Sequence, residues 1–348
     1  MKNAEQIFQA IANEVGVSPR TVKRTLAQPR KDTRPTYVER AKRIRSLAEA
    51  HGYRPNAAAR AVRMGRFGQV AMLTRHDVSF QQFNLNKGVC TELAAHDLHM
   101  ILAEIRPGDL AKPETSPRLL RELCVDGLIV HFAQKISPAT LEAVSYSGVP
   151  LVWTNLDQAT DSVCTDDAQG VRLATETLLE IGHRRIGLLA GPHAKEEFAH
   201  YSVRDRREGY LQAMQQAGLS PNIKEFKDDS GYAEGLSRAI DLLDSEPHIT
   251  AWICDSDVGG GAILMAALAK GLKVPRDLSV IMFHNLSPNG SMGLPISAMA
   301  LPMQKVGAEA ARMLLRKIAN PQEPQPCCKV PFSAPPVIRT IGPPRQNK

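Results

Sequence analysis

The chain has 348 residues, enough for two or three domains, and at 43% hydrophobic and 23% charged it can bury sizeable cores. No window of about 18 apolar residues occurs, the richest stretch being the short Ala262–Ala269, so a membrane-spanning helix is excluded. The first sixteen residues, MKNAEQIFQAIANEVG, place acidic and polar side chains where a signal peptide needs an apolar core, and a cytoplasmic protein is expected.

The net charge of +7 is unevenly divided: residues 1–66 carry 15 Lys and Arg against five Asp and Glu, while the remaining chain carries 28 against 31. A small basic module precedes a large, slightly acidic body, the distribution expected of a nucleic-acid footprint joined to something that controls it. The six cysteines (Cys90, Cys124, Cys164, Cys254, Cys327 and Cys328) form no CxxC pair and no His/Cys cluster at zinc spacing. Most read as small buried hydrophobes; Cys327-Cys328, in a Pro-rich stretch, is the exception in position, but adjacent cysteines rarely bridge each other, and no redox role, metal or cofactor is expected.

In chain order, apolar side chains at Ile7, Ala10, Ile11 and Val15 give helical spacing over Glu5–Val15. Gly16 interrupts, and Ser18-Pro19 then supplies a hydroxyl cap followed by proline at a first helical position. The second helix, Pro19–Leu26, is expected to bury Val22 and Leu26 while Arg20, Lys23 and Arg24 face outward. Thr36 and Glu39 read as a capping box for a third helix that runs through Val38, Ala41, Ile44 and Leu47 to His51-Gly52. Two short helices about a glycine-containing turn, with a third packed across them, make a helix-turn-helix pattern. Arginine on the second helix can donate twice to guanine O6 and N7, whereas lysine suits phosphate.

Beyond Gly68, short apolar runs alternate with longer amphipathic ones. Strands are expected at Gln69–Leu73, His99–Glu104, Gly127–His131, Pro150–Trp153, Arg185–Ala190, Ala251–Cys254 and Leu278–Met282. Helices are expected at Leu85–His96, Ala168–Ile181, Glu208–Ala217, Ala233–Leu243 and Val258–Lys270. This alternation predicts α/β architecture with parallel sheets covered by helices on both faces. Gly259-Gly260-Gly261 lacks the spacing and lysine of a phosphate loop and reads as helix packing.

Several stretches carry a resemblance. IANEVGVSPRTVKRTL (Ile11–Leu26) and HGYRPNAAARAVRMGR (His51–Arg66) resemble the DNA-binding module and hinge of the lactose-repressor family of bacterial transcription regulators. VDGLIV (Val125–Val130), GHRRIGLLAG (Gly182–Gly191), RREGY (Arg206–Tyr210), GLKVPRDLSVIMF (Gly271–Phe283) and LPMQKVGAEAARMLL (Leu301–Leu315) continue it in the right order.

The resemblance implies a helix-turn-helix domain over 1–52, a hinge over 53–67, and an effector-binding and dimerisation core over 68–348. That core would be like a periplasmic binding protein, with lobe 1 at about 68–163 and 296–325 and lobe 2 at about 164–290 and 326–348. Base-reading positions fall on Pro19, Arg20 and Arg24, and phosphate contacts on Thr21 and Lys23. In the hinge, Tyr53, Asn56, Arg60 and Val62 would meet DNA, Val62 standing where the family wedges a leucine into the minor groove.

Effector-binding positions fall on Asn155, Arg206, Asp257 and His284, at an interlobe cleft beyond the strand carboxyl ends. Met282-Phe283-His284 replaces the Gly-Phe-Asp of sugar-responsive members, exchanging a carboxylate for an imidazole. Ser230 stands where an aromatic side chain often stacks on the ligand, with Tyr232 or Trp153 as replacements. The implied partners are a pseudo-palindromic operator on double-stranded DNA, a carbohydrate-like effector such as a sugar or sugar acid, and a second copy of the chain. Pro321–Lys348 shows no leucine heptads for a tetramerising coiled coil.

Two other classes are weighed against this reading. An enzyme would need a catalytic constellation such as GxSxG or HExxH, which the sequence lacks. A solute-binding sensor without DNA activity, or a regulator without ligand control, would leave the basic module or the cleft without a task.

Overall fold

The computed structural model describes residues 4–27, 34–54, 61, 65–75, 80–105, 124–131, 144, 148–191, 200–226, 232–284, 296–333 and 340–345. The chain divides into two compact units, residues 1–68 and 69–348.

Among the described residues, the first unit's core is built from α1 (Ala4–Val15), α2 (Pro19–Ala27) and α3 (Pro35–Ala50). Ile7, Phe8, Ile11 and Ala12 of α1 close on Val22, Ile44 and Ala48, with Leu26, Leu47 and Tyr53 packed at the margin. The turn after α1 needs Gly16, whose φ of +71° is left-handed backbone. The Ser18 hydroxyl accepts the Thr21 backbone N–H at 3.2 Å, so α2 begins at the expected cap. The capping box expected of Thr36 and Glu39 does not form. Proline at the first helical position starts α3 one residue earlier, with Arg34 at the cap and no side-chain cap bond, leaving Thr36 inside the first turn.

Among the described residues, the second unit contains two all-parallel sheets. One is ordered β11-β5-β4-β3-β1-β2, from β1 (Gln69–Arg75), β2 (His99–Ile105), β3 (Gly127–His131), β4 (Leu151–Thr154), β5 (Ser162–Thr165) and β11 (Cys328–Val330). The other is ordered β10-β9-β8-β6-β7, from β6 (Ile186–Ala190), β7 (Asn222–Glu225), β8 (Ala251–Cys254), β9 (Ser279–His284) and β10 (Ser297–Ala300).

Among the described residues, six helices cover these sheets: α4 (Phe80–Ala94), α5 (Asp167–Glu180), α6 (Tyr201–Gln216), α7 (Tyr232–Ser245), α8 (Asp257–Ala269) and α9 (Met303–Ala319). Because the sheets are parallel and covered on both faces, their central strands are nearly continuous apolar runs. On the first sheet Val70, Met72, Ile129 and Val152 face α4 and α9, while Ala71, Leu73, Leu128 and Val130 form a core on the other side. On the second, Ile186, Leu188, Ala251 and Ile253 face α5 and α6, while Leu189, Trp252, Val280 and Met282 face α7 and α8.

The lobe limits need correction in two places. Ser297–Ala300, expected in the first lobe, pairs with β9 of the second sheet, and Cys328–Val330, expected in the second, pairs with β5 of the first. The chain therefore passes between lobes after β5, after β10 and after β11. Within the glycine run of α8, Gly260 serves packing, since a Cβ there would lie 2.6 Å from the Met282 methyl, whereas Gly261 faces open space. Among the described residues no helix is long and apolar enough to cross a membrane.

Candidate DNA-reading helix and effector cleft

In the helical unit, Arg20, Lys23 and Arg24 are all exposed, at i, i+3 and i+4 of α2, and so share one face. Val22 and Thr25 on the opposite side are buried, and Thr25 donates its hydroxyl to the Thr21 carbonyl at 2.9 Å. Thr21 is half-buried with its hydroxyl 3.0 Å from that of Ser18, and Pro19 is half-buried at the start of the helix. The outcome is a short capped helix that holds three cations outward and carries no acid of its own.

Tyr53 packs edge-on against Phe8, with ring centroids 4.9 Å apart, and thereby joins the small core. Asn56, Arg60 and Val62 lie outside the described residues.

In the second unit, the amino-terminal half of α6 bridges the carboxyl ends of the two sheets. From the first sheet, the Asn155 carbonyl just past β4 accepts the His200 Nε2–H at 3.0 Å, and Thr165 at the end of β5 meets the Tyr201 hydroxyl at 2.9 Å. His200 caps α6 by accepting from the Ser202 N–H, so its Nδ1 carries the lone pair and its Nε2 the proton. From the second sheet, the Asp255 carbonyl after β8 accepts from Arg206.

Arg206 is the centre of this junction and is only 9% exposed. Its Nε and Nη2 each lie 2.7 Å from Oδ1 of the fully buried Asp167 in the first turn of α5. Its guanidinium carbon sits 4.2 Å from the Phe283 ring centroid, a cation–π contact. Among the described residues, three of its five N–H groups are engaged.

Asn155 is held in left-handed backbone, φ +60°, at the same junction. Asp257 stands exposed in the first turn of α8, where Ser256 caps the helix by accepting from Gly259 N–H at 3.1 Å. His284 ends β9 opposite Ala300, and its side chain lies outside the described residues, as do Ser230 and the Tyr232 side chain. Trp153 is a buried member of the core beneath the first sheet rather than a stacking surface.

Several polar groups of the junction escape sequence reasoning. His131, at the end of β3, is buried with Nδ1 3.0 Å from the Thr154 hydroxyl, and burial first, then the neighbouring His200, lowers its pKa to about 4. Burial likewise lowers the pKa of His200. Two neutral imidazoles therefore flank the site at neutral pH. Asp167 and Asp255 were hidden in DD and CDSD runs that read equally well as helix caps; Asp166 is the actual cap of α5, accepting from Gln169 N–H at 3.0 Å.

A periplasmic binding protein-like domain matches residues 175–339. The HTH-type transcriptional repressor PurR of Aliivibrio salmonicida is 26% identical over 80% of this chain and 83% of its own length. The ribose operon repressor of Haemophilus influenzae is 27% identical over 82% and 84%. Among solved structures, the Lac repressor dimer bound to operator and the anti-inducer ONPF aligns with a TM-score of 0.73 at 18% identity, covering 95% of this chain and 98% of that one. A LacI family regulator from Enterococcus faecium with bound ribose aligns at 0.63 and 22%, covering 80% and 100%. In its ordered motifs, its paired parallel sheets and these repressor relatives, the chain is similar to the lactose-repressor family of transcription regulators.

Proposed function

We propose that this protein is a repressor that binds a pseudo-palindromic operator as a homodimer and is controlled by a sugar-like molecule held at the α6 junction. The observation that carries the DNA reading is the capped α2 with Arg20, Lys23 and Arg24 on one exposed face. Arg20 and Arg24 would read base edges and Lys23 would hold phosphate. Tyr53, Asn56, Arg60 and Val62 would complete the contact through the hinge. The relatives are named as repressors, not enzymes, and one solved relative is a dimer on its operator.

The effector reading rests on Arg206, held by Asp167 and Phe283 where α6 joins the carboxyl ends of the two sheets. Asn155, Asp257 and His284 would supply further polar contacts, and neutral His131 and His200 suit hydroxyls better than a cation. Ribose in one structural relative and cellobiose in another favour a carbohydrate-like ligand. A ligand that binds one lobe arrangement better than another shifts the population, and coupling of about 1–3 kcal/mol suffices for a useful switch.

The test has two arms. Selection from a random double-stranded DNA library should return an inverted repeat bound by the full chain and not by a chain lacking residues 1–66. Thermal unfolding across sugars, sugar acids, sugar phosphates and purines should give a stabilising hit that also changes operator affinity. Retention of DNA binding by the truncated chain would overturn the first reading. A hit that leaves operator affinity unchanged would overturn the second.

A further inference from the structure

Two cysteines 163 residues apart in the chain meet at the edge of the first sheet. Cys164 is buried in β5, and its Sγ lies 3.9 Å from that of Cys327, which is half-buried immediately before β11. β5 and β11 are hydrogen-bonded neighbours, Cys328 standing opposite Val163. Both strands also hand the chain to the second lobe: β5 runs straight into α5, and β11 is followed by Phe332, whose ring packs against Phe283. The thiols therefore sit side by side at two of the three crossings between lobes.

An ion-pair network lies beside them. Arg204 of α6 reaches Asp157 at 2.9 Å and Asp205 at 2.8 Å, and Lys329 of β11 reaches Asp205 at 3.1 Å and Asp157 at 3.8 Å. The two thiols differ in character. The hydrogen bond with Cys164 pulls the Cys327 thiol below its ordinary value, while the same contact and burial push Cys164 up. Cys327 is thus the more accessible and more readily ionised partner, and Cys164 the enclosed one.

We propose that Cys327 and Cys164 are an oxidisable dithiol that closes into an intrachain disulfide on exposure to a hydroperoxide. The Cys327 thiolate attacks a peroxide oxygen; an S–O bond forms, the O–O bond breaks, and hydroxide leaves from hydrogen peroxide. Cys164 then gives up its proton and attacks the resulting sulfenic sulfur; the S–S bond forms, the S–O bond breaks, and water departs. Two thiols and one hydrogen peroxide yield one disulfide and two waters. The sulfurs must close from 3.9 Å to about 2.05 Å.

A metal site is the rival use of the same atoms, because an Asp157 carboxylate oxygen and both Sγ atoms lie within 4.8 Å of one another. Asp157 is already paired with Arg204 and faces Lys329, so an entering cation would meet two resident positive charges. That favours the dithiol.

The full chain, reduced and then treated with hydrogen peroxide, is alkylated, digested and mapped by mass spectrometry. The expected product is a Cys164–Cys327 cross-linked peptide, two hydrogens lighter than its reduced parts and restored by dithiothreitol. Cys164→Ser should halt the reaction at a sulfenic acid on Cys327 that dimedone traps, and Cys327→Ser should leave Cys164 reduced. Failure of the wild-type chain to give that peptide, or a bond from Cys327 to Cys328 or to a second copy instead, overturns the proposal. So does a stoichiometric zinc ion in the purified protein whose removal by a chelator is needed before either cysteine can be alkylated.

Discussion

Arg206 and Asp167 form a pair in which neither partner has another way to meet water: the carboxylate is fully buried and the guanidinium nearly so. Removing the cation alone would leave a desolvated anion, which costs far more than the net worth of the pair. Arg206→Ala is therefore expected to lower unfolding stability by about 3–5 kcal/mol in denaturant titrations. Arg206→Ala combined with Asp167→Ala should be less damaging than the sum of the two single changes. Simple additivity in that double-mutant cycle would mean the pair is not coupled. Arg24 has the opposite setting, exposed on α2 with no packing to lose. Arg24→Ala should leave stability unchanged while weakening operator binding by about 1–3 kcal/mol and relaxing preference at one base pair. Equal weakening on every DNA sequence would assign Arg24 to phosphate instead.

At the scale of elements, α4 and α9 approach so closely that neither tolerates a side chain at the crossing. A Cβ at Gly88 would lie 2.0 Å from the Gln304 carbonyl oxygen, and one at Gly307 would lie 2.2 Å from that of Leu85. Both obstacles are backbone and cannot rotate away, so Gly88→Ala or Gly307→Ala must push the helices apart and lose the packing of Leu85 and Val89 on Val306 and Ala310. A loss of about 2–3 kcal/mol in chemical unfolding is expected for each. Gly261 of α8 has nothing within 4 Å of its would-be Cβ, and Gly261→Ala should stabilise by about 0.5–1 kcal/mol. The same contrast governs what the sequence discloses. Strands buried on both faces, such as β3 and β8, stand out as apolar runs. β5, β7, β10 and β11 are only three or four residues long and mix polar with apolar side chains, so nothing in their composition separates them from loops. Helix ends were readable where a hydroxyl or glycine acts locally, as at Ser18 and Gly52, and misread at Thr36, where Pro35 decided the start.

Across the whole molecule, the groups hardest to foresee are those whose partners come from distant segments. Arg206 could be singled out from RREGY, but Asp167, Asp255 and Phe283 reach it only through the two-sheet topology. His183, in the turn entering β6, is buried between Thr250, Ser279 and the Gly342 carbonyl, where it ties the carboxyl-terminal segment to the second sheet. Burial lowers the pKa of His183, His200 and His131, the last to about 4. The sign of the resulting pH dependence follows directly. Below about 6.5 the unfolded chain takes up protons on these imidazoles that the folded chain refuses, so the unfolded state is favoured increasingly as pH falls. For His131 alone the loss begins near its unfolded value and is complete below about 4. That shift corresponds to roughly 3 kcal/mol. Equilibrium unfolding from pH 7 to pH 4 should show stability falling through this window, and His131→Gln should flatten the curve by about that amount. A wild-type stability that stays level between pH 6.5 and 4 would mean the three histidines gain protons in the folded protein as readily as in the unfolded chain.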